Sequence, residues 1–399
     1  MRFQYSLLLL FLFFTPAAFA LNLDTVQAPA TEHRGLRISI LTCGVGEELY
    51  ASFGHTGVRI IDSAAGTDAV YNYGVFNFSD PDFYTKFTLG RLLYYIDKGS
   101  FRQFMDEYEE DKRIVREQVL SLPDTAKQQI QQYLETNLLP QNRGYYYNFL
   151  YDNCATRVRD IFPKALGSAF RFGAILDSTK ISYRATINHY LSQKHWERLG
   201  INLLLGRPVD EKMTDDGSMF LPDYLHRGLA GATFNNHPLV TADHLLQGKG
   251  IQTTHPLDSP LWMNIGIFIL TLLCFHSAAF RYLKGVICFL LLFVSGLLGC
   301  FMLFMWLGTE HTACSQNFNI LWALPANILI AFVAIKKRSW LKYYGIVAAA
   351  ALLAALVLHV FGVQQLPLFE LTPFLLSLLY VYADLWRWKK PDSALSSAT

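Results

Sequence analysis

The last third of this chain decides what it can be. From Pro260 onward five apolar runs follow one another: Leu261–Phe280, Gly285–Leu307, Asn319–Ile335, Tyr343–Val363 and Leu366–Leu385. Each has about the length of a bilayer-spanning helix, roughly 20 residues. The third is the weakest, because Asn and Pro interrupt it. Arg281 and Lys284 lie between the first and second runs, and Lys336, Lys337, Arg338 and Lys342 between the third and fourth. Arg387, Lys389 and Lys390 follow the fifth, whereas "GTEHTACSQNF" and "GVQQ" carry no Lys or Arg. Cationic loops stay on the cytoplasmic side. The alternation therefore predicts five spans, a cytoplasmic C-terminus, and an exported segment ahead of the first span.

The N-terminus agrees. "MRFQYSLLLLFLFFTPAAFA" has one Arg, an apolar run from Leu7 to Phe14 and the small-residue pair Ala18/Ala20. That pattern predicts a secretory signal cleaved after Ala20, and the run is short for an uncleaved span. The expected organisation is residues 1–20 as signal, 21–258 as an exported globular domain and 259–399 as a membrane domain in the inner membrane. The chain has 399 residues and a net charge of +2, which largely reflects the loop cations and gives no reason to expect nucleic-acid binding.

Cys274, Cys288 and Cys300 fall within spans, where cysteine is ordinary small apolar filler. Cys43, Cys154 and Cys314 face the exported side, so at least one thiol is unpaired unless chains join through it. There is no CxxC and no HExxH, and His189 and His195 have no ligand spacing, so neither a metal nor any other cofactor is expected.

Cys154 stands at a helix start. In "YNFLYDNCATRVRD" (Tyr147–Asp160), Asp152 or Asn153 suits an N-cap, and "CATRVRDIF" has helical spacing of apolar residues. A helix N-terminus lowers a thiol pKa. The alternative is an inert cysteine, buried or bridged to Cys43. A working thiol also needs a base. His55 opens a strand-like run, and a second one, "AVYNYGVFNF", follows the turn residues of "DSAAGTD". The two read as a hairpin. Counting outward from the loop centre favours Asn77 as the residue that orients the imidazole, with Asn72 and Tyr73 as the other polar side chains on that strand. Judged alone, His55 also reads as a structural histidine.

Taken together, these residues resemble a known arrangement. A strand His, a polar residue on the next strand and a later Cys at a helix start is the order of circularly permuted papain-like thiol enzymes. These include the lecithin:retinol acyltransferase group and permuted relatives of the NlpC/P60 peptidases. A longer resemblance covers nearly the whole chain. "LTCGVGEELYASFGHTGVRI", "VYNYGVFNF", "NFLYDNCATRVRDI", "LGRPVD", "MFLPDYL" and "HTACSQNFNILWALP" are similar to the Lnb-type lipoprotein N-acyltransferases.

The resemblance implies an α+β, permuted papain-like thiol domain followed by an all-α membrane domain of five transmembrane helices. It implies a Cys154–His55 dyad with a second-strand polar residue behind it, here Asn77. It further implies a phospholipid acyl donor, a thioester on Cys154 and diacylated lipoproteins as acceptors. Asn153 and Tyr147 are candidate donors to the oxyanion, with capping and packing as their plainer roles. Two other classes fit parts of the pattern. One is a membrane-anchored cysteine hydrolase or peptidase acting on cell-wall peptide. The other is a non-enzymatic membrane scaffold in which Cys154 is structural.

Three further stretches carry expectations. The exported loop Gly308–Pro325 holds Glu310, His311, Asn317 and Asn319 at the mouth of the membrane domain. His311 and Asn319 are expected to seat a lipid head group or the lipoprotein N-terminus, against the alternative of an ordinary hydrated loop. "DEYEEDKRIVREQVLSLPDTAKQQIQQYLETNLL" reads as two amphipathic helices separated by Pro123, and the stretch from "FNNHPLV" to "GIQTTHPLDSP" as a connection to the first span. "YYYNF" (Tyr145–Phe149) reads as core packing or as an acyl-groove lining.

Overall fold

The alternating runs around the first turn form the expected hairpin. In the computed structural model, which describes residues 35–177, 181–248, 250, 259–335 and 338–387, strand β1 (Leu36–Cys43) is followed by β2 (His55–Asp62) and β3 (Thr67–Val75). The β2–β3 turn is closed locally: Asp62 Oδ1 accepts from the N–H groups of Ala64 and Ala65 at 3.0 Å, and Gly66 takes φ +64°. The expected signal sequence, residues 251–258 and the cations Lys336, Lys337, Lys389 and Lys390 lie outside the described residues.

The remaining strands are β4 (Leu93–Ser100), β5 (Val115–Leu120), β6 (Gly144–Tyr146), the short β7 (Phe170–Arg171), β8 (Thr233–Phe234) and β9 (His237–Pro238), and β10 (Val240–Gln247). A seven-stranded antiparallel sheet runs β10-β5-β1-β2-β3-β4-β6, and β7-β8-β9 form a separate small sheet. Helices α1 (Phe83–Leu89), α2 (Phe101–Glu110), α3 (Asp124–Leu138), α4 (Cys154–Leu166), α5 (Tyr183–Tyr190), α6 (His195–Leu204), α7 (Asp215–Ser218) and α8 (Pro222–Ala230) surround it. One face of the sheet buries Ile38, Ile40, Val58, Ile60, Tyr71 and Tyr73 against Ile130 and Leu134 of α3 and Val158, Ile161 and Phe162 of α4. Leu41, Val70 and Val115 pack on Phe104 and Tyr108 of α2.

Two sequence expectations are corrected here. The pair of helices expected on either side of Pro123 contains a strand instead: "VREQVL" is β5, between β1 and β10. Its charged residues hid it, because Glu117 is buried. Glu117 takes Arg59 at 3.0 Å, Arg37 at 3.2 Å and the Ser39 hydroxyl, so the charge is paired and hydrogen-bonded inside the sheet. The presumed connection after Phe234 is also structured. Val240–Gln247 pairs with β5 as the edge strand, with two irregularities in register that blur its alternation.

The C-terminal region is helical: α9 (Pro260–His276), α10 (Lys284–Leu307), α11 (Asn327–Ala334), α12 (Leu341–Val360) and α13 (Leu368–Arg387). By length and composition, three helices among the described residues are long and apolar enough to cross a membrane: Arg281–Leu307, Leu341–Val360 and Leu368–Arg387. Helix α9 is apolar but has 17 residues. The expected third span, Asn319–Ile335, is not one helix. It begins as a 3-10 turn (Phe318–Leu321), breaks around Pro325 and resumes as the eight-residue α11. Proline removes a helix donor, and the break packs closely on α10, where a Cβ on Gly299 would meet Ala323 O at 1.8 Å and one on Gly296 would meet Ile328 N at 2.3 Å. Asn327 is fully buried there, bonded to Ser295, Tyr382 and Tyr344.

The sheet-rich region docks on this bundle through backbone. The last carbonyls of a helix lack internal partners. Those of α6 receive Asn317 Nδ2 (Leu203 O 2.7 Å, Leu204 O 3.0 Å) and Asn319 Nδ2 (Leu203 O 3.2 Å, Asn202 O 3.3 Å). Gly206 N donates to Ala313 O at 2.9 Å, and a Cβ on Gly206 would overlap Ser315 O at 1.8 Å. Arg198 also pairs with the buried Glu370 of α13.

Candidate active site

Helix α4 starts at Cys154 because Asn153 caps it. Thr156 N donates to Asn153 Oδ1 at 2.9 Å, and Asn153 N donates to Thr156 Oγ1 at 2.7 Å. Such a reciprocal cap stabilises a helix start by about 1 kcal/mol. The Asn153 amide also donates to Phe149 O and Phe220 O, so both its N–H bonds are used. Its observed work is therefore to fix the helix start, and it has no donor left for an oxyanion.

His55 is the first residue of β2, directly after Gly54, whose φ of +79° and 2.6 Å approach of a Cβ to Cys43 O exclude a side chain. The imidazole and Cys154 line the same pocket, and each shifts the other's pKa. Its Nε2 lies 2.8 Å from Asn72 Oδ1, which leaves Nδ1 for the thiol. Burial alone pushes the Cys154 thiol up. The cation on His55, its hydrogen bond and the backbone N–H groups of Thr56 and Ala155 outweigh that, and the net shift is downward. Burial pushes the His55 imidazole down, but Cys154 and then Asn72 hold its proton, and the net shift is upward. The two shifts run in opposite directions, as they do for neighbouring groups that each favour the other's charged form. Cys43 is different. It is buried and free, and burial raises its thiol to about 12. Cys154 is also free, not bridged to it.

The residue that orients His55 is Asn72 and not the expected Asn77. Strands β2 and β3 pair with Gly57 opposite Asn72, which extrapolates to position 74 opposite His55. The turn is centred closer to β2 than loop counting assumed, so the partner moves down the strand. Asn77 lies beyond the end of β3, exposed, with Oδ1 closing a turn on Ser79 N at 2.9 Å. Tyr73 is in the core. Gly57 makes room for the carboxamide, since a Cβ there would stand 3.3 Å from Asn72 Oδ1. At the bulge after Tyr73, Gly74 adopts φ +96° beside Cys154.

A pocket of about 370 Å³ opens from the thiol. Phe53, Phe76, Phe87, Tyr94, Tyr147, Phe149 and Phe220 line it together with Leu49, Leu92 and Leu221. The "YYYNF" cluster therefore splits. Tyr145 is core, Tyr146 is exposed, and Tyr147 and Phe149 face the pocket. Tyr147 packs on Tyr94 with ring centroids 4.6 Å apart, and burial raises its phenol pKa. The contribution of α1 through Phe87 carried no signal in the sequence.

The loop after α10 forms one side of this pocket. His311 lines both the thiol pocket and a neighbouring cavity of about 200 Å³. Its Nε2–H donates to Phe87 O at 3.1 Å, Glu310 N donates to Leu89 O at 2.9 Å, and Asn148 Nδ2 donates to Thr312 Oγ1 at 2.8 Å. Asn319 is elsewhere. It is fully buried, caps α6 and accepts from Trp322 Nε1 at 2.9 Å, so the expectation that it seats a substrate is corrected: its side chain is consumed in docking.

A sheet-rich domain set on a bundle of apolar helices defines a membrane protein with a large domain outside the bilayer. The family model described as the Lnb N-terminal periplasmic domain matches residues 28–187, and that of the Lnb transmembrane domain matches residues 251–390. The chain belongs to the Lnb family, with a periplasmic N-terminal domain and a membrane domain. No curated protein and no solved structure matches it.

Proposed function

We propose that this protein is a lipoprotein N-acyltransferase. The observation that carries the reading is the aromatic pocket running from Cys154 to the membrane-region loop that bears His311. An acyl chain suits such a lining better than the polar backbone of a cell-wall peptide does. The family membership supports the same reading.

The reaction divides into two steps. Cys154 thiolate attacks the ester carbonyl of a membrane phospholipid. The tetrahedral oxyanion collapses, the lysophospholipid alkoxide leaves with the proton from His55, and a thioester remains on Cys154. The α-amine of a diacylated lipoprotein cysteine then attacks the thioester. His55 takes its proton, the amide forms and the thiolate returns. Two easier steps replace one difficult one. The backbone N–H groups of Thr56 and Ala155, which favour the Cys154 thiolate, serve as the oxyanion donors in this reading. Asn72 holds the imidazole.

In this reading residues 1–20 are a cleaved signal, 21–258 form a permuted papain-like thiol domain, and 259–399 form five spans in the inner membrane with a cytoplasmic C-terminus. Helix α9 and the broken segment ending in α11 supply the two crossings beyond the three long helices. The test is mass spectrometry of lipoprotein N-termini from cells with and without the protein. An N-linked acyl group that depends on Cys154 supports the assignment. Unchanged N-termini with intact cell-wall peptide turnover by the protein would replace it with the hydrolase.

A further inference from the structure

At the end of the bundle away from the thiol lies a second built site. Helix α10 has 24 residues, about 36 Å of rise, and its C-terminal end leads into the loop that bears His311. Its N-terminal end borders a cavity of about 1030 Å³ between α10, α11 and α13. Three cations rim that cavity: Arg281 and Lys284 at the start of α10 and Arg387 at the end of α13. Asp384 neutralises one of them through Lys284. Arg281 and Arg387 are exposed and have no ion pair among the described residues. The rim is therefore cationic overall.

The helix start adds to this field. The dipole of α10 favours an anion at its start, where the N–H groups of Leu283 and Lys284 are bonded to Phe280 O and Arg281 O and that of Gly285 follows. Gly285 stands in the first turn, lines the cavity and has open space where a Cβ would be, so an anion can approach the backbone closely. Below the rim the walls are apolar: Phe289 and Leu292 of α10 with Phe332 and Ile335 from the α11 side, and Val381 and Leu385 of α13. A cationic, backbone-lined mouth above an apolar groove matches one amphiphile: a phosphate head with hydrocarbon tails.

We infer that this cavity holds a phospholipid of the leaflet opposite the thiol pocket, its phosphodiester at the start of α10 between Arg281 and Arg387 and its acyl chain in the groove bounded by α10, α11 and α13. The lipid is a resident and not the acyl donor, because its ester lies about a helix length from Cys154.

The full-length protein is extracted in mild detergent and its retained phospholipid is counted by native mass spectrometry. Wild type is expected to keep phospholipid through delipidating washes. Arg281→Ala/Arg387→Ala is expected to lose it at least fivefold, and so is Ala331→Trp, which fills the groove without touching the charges. Cys154 alkylation at the wild-type rate shows that each variant is folded. Equal retention in the double variant would overturn the proposal. Loss in the charge variant alone, with inorganic phosphate displacing the ligand from wild type, would overturn the lipid in favour of a soluble anion.

Discussion

Replacing Asn72 by Ala removes the 2.8 Å bond that fixes His55 Nε2. The imidazole is then free to turn, and Nε2 is left in a half-buried place without a partner. Unmaking such a bond costs about 1–3 kcal/mol. If that cost falls on the reactive geometry, it corresponds to roughly 5- to 160-fold in rate. The assay is the second-order rate of Cys154 alkylation by iodoacetamide at neutral pH, followed by acyl transfer from a phospholipid to a diacylated lipopeptide. Both rates should fall together. Asn72→Asp keeps the acceptor oxygen and adds an opposite charge beside the imidazolium, so it should hold much of the activity and raise the His55 pKa further. The alkaline limb of the pH profile then moves up. Asn77→Ala should be within about twofold of wild type, as an exposed turn residue should be. Full activity of Asn72→Ala, or a larger loss from Asn77→Ala, would refute the placement of Asn72 behind His55.

Cys154→Ala and His55→Ala should each cost several orders of magnitude in transfer, and the double variant little more, since the two act as one unit. Because the Cys154 pKa is lowered and that of His55 raised, alkylation should persist below the usual thiol range and its midpoint should rise in His55→Ala; an unchanged midpoint would dissolve the ion pair. Gly206→Ala forces a methyl into Ser315 O, so it should lower the melting temperature by a few degrees and speed proteolysis between the two regions. His311→Ala should leave Cys154 alkylation intact yet slow transfer; accumulation of the acyl-thioester would assign it to the acceptor side, and loss of thioester to the donor side.

Much of the site was legible because it rests on local chemistry. An Asn before a Cys at the head of an apolar helix, and a His opening an alternating strand, are short-range patterns. The register of the hairpin was not legible at the needed precision. Loop counting misplaced the pairing, and the carboxamide beside the imidazole is Asn72, five residues before Asn77, which lies past the end of the strand. Strand β5 was hidden because Glu117 reads as a solvent-facing charge until Arg37 and Arg59 arrive from other strands. The same holds for Asn317 and Asn319. Their partners are carbonyls of α6 more than a hundred residues away, and nothing within their own loop announces that role.

The backbone seam between Gly206 and Ser315 has a further consequence. With no room there for a single methyl and with α6 capped by asparagines from the bundle, the thiol does not swing on a tether. It is mounted at a constant height over the apolar helices. Under the proposed reaction the protein works as a depth gauge. A reacting carbonyl must reach that height while its chain is still rooted in the bilayer, which favours bonds near the glycerol backbone of a seated lipid. A water-soluble thioester or a free peptide gains nothing from the mounting, so selectivity for membrane-borne substrates follows from elevation as much as from the chemistry of the pocket.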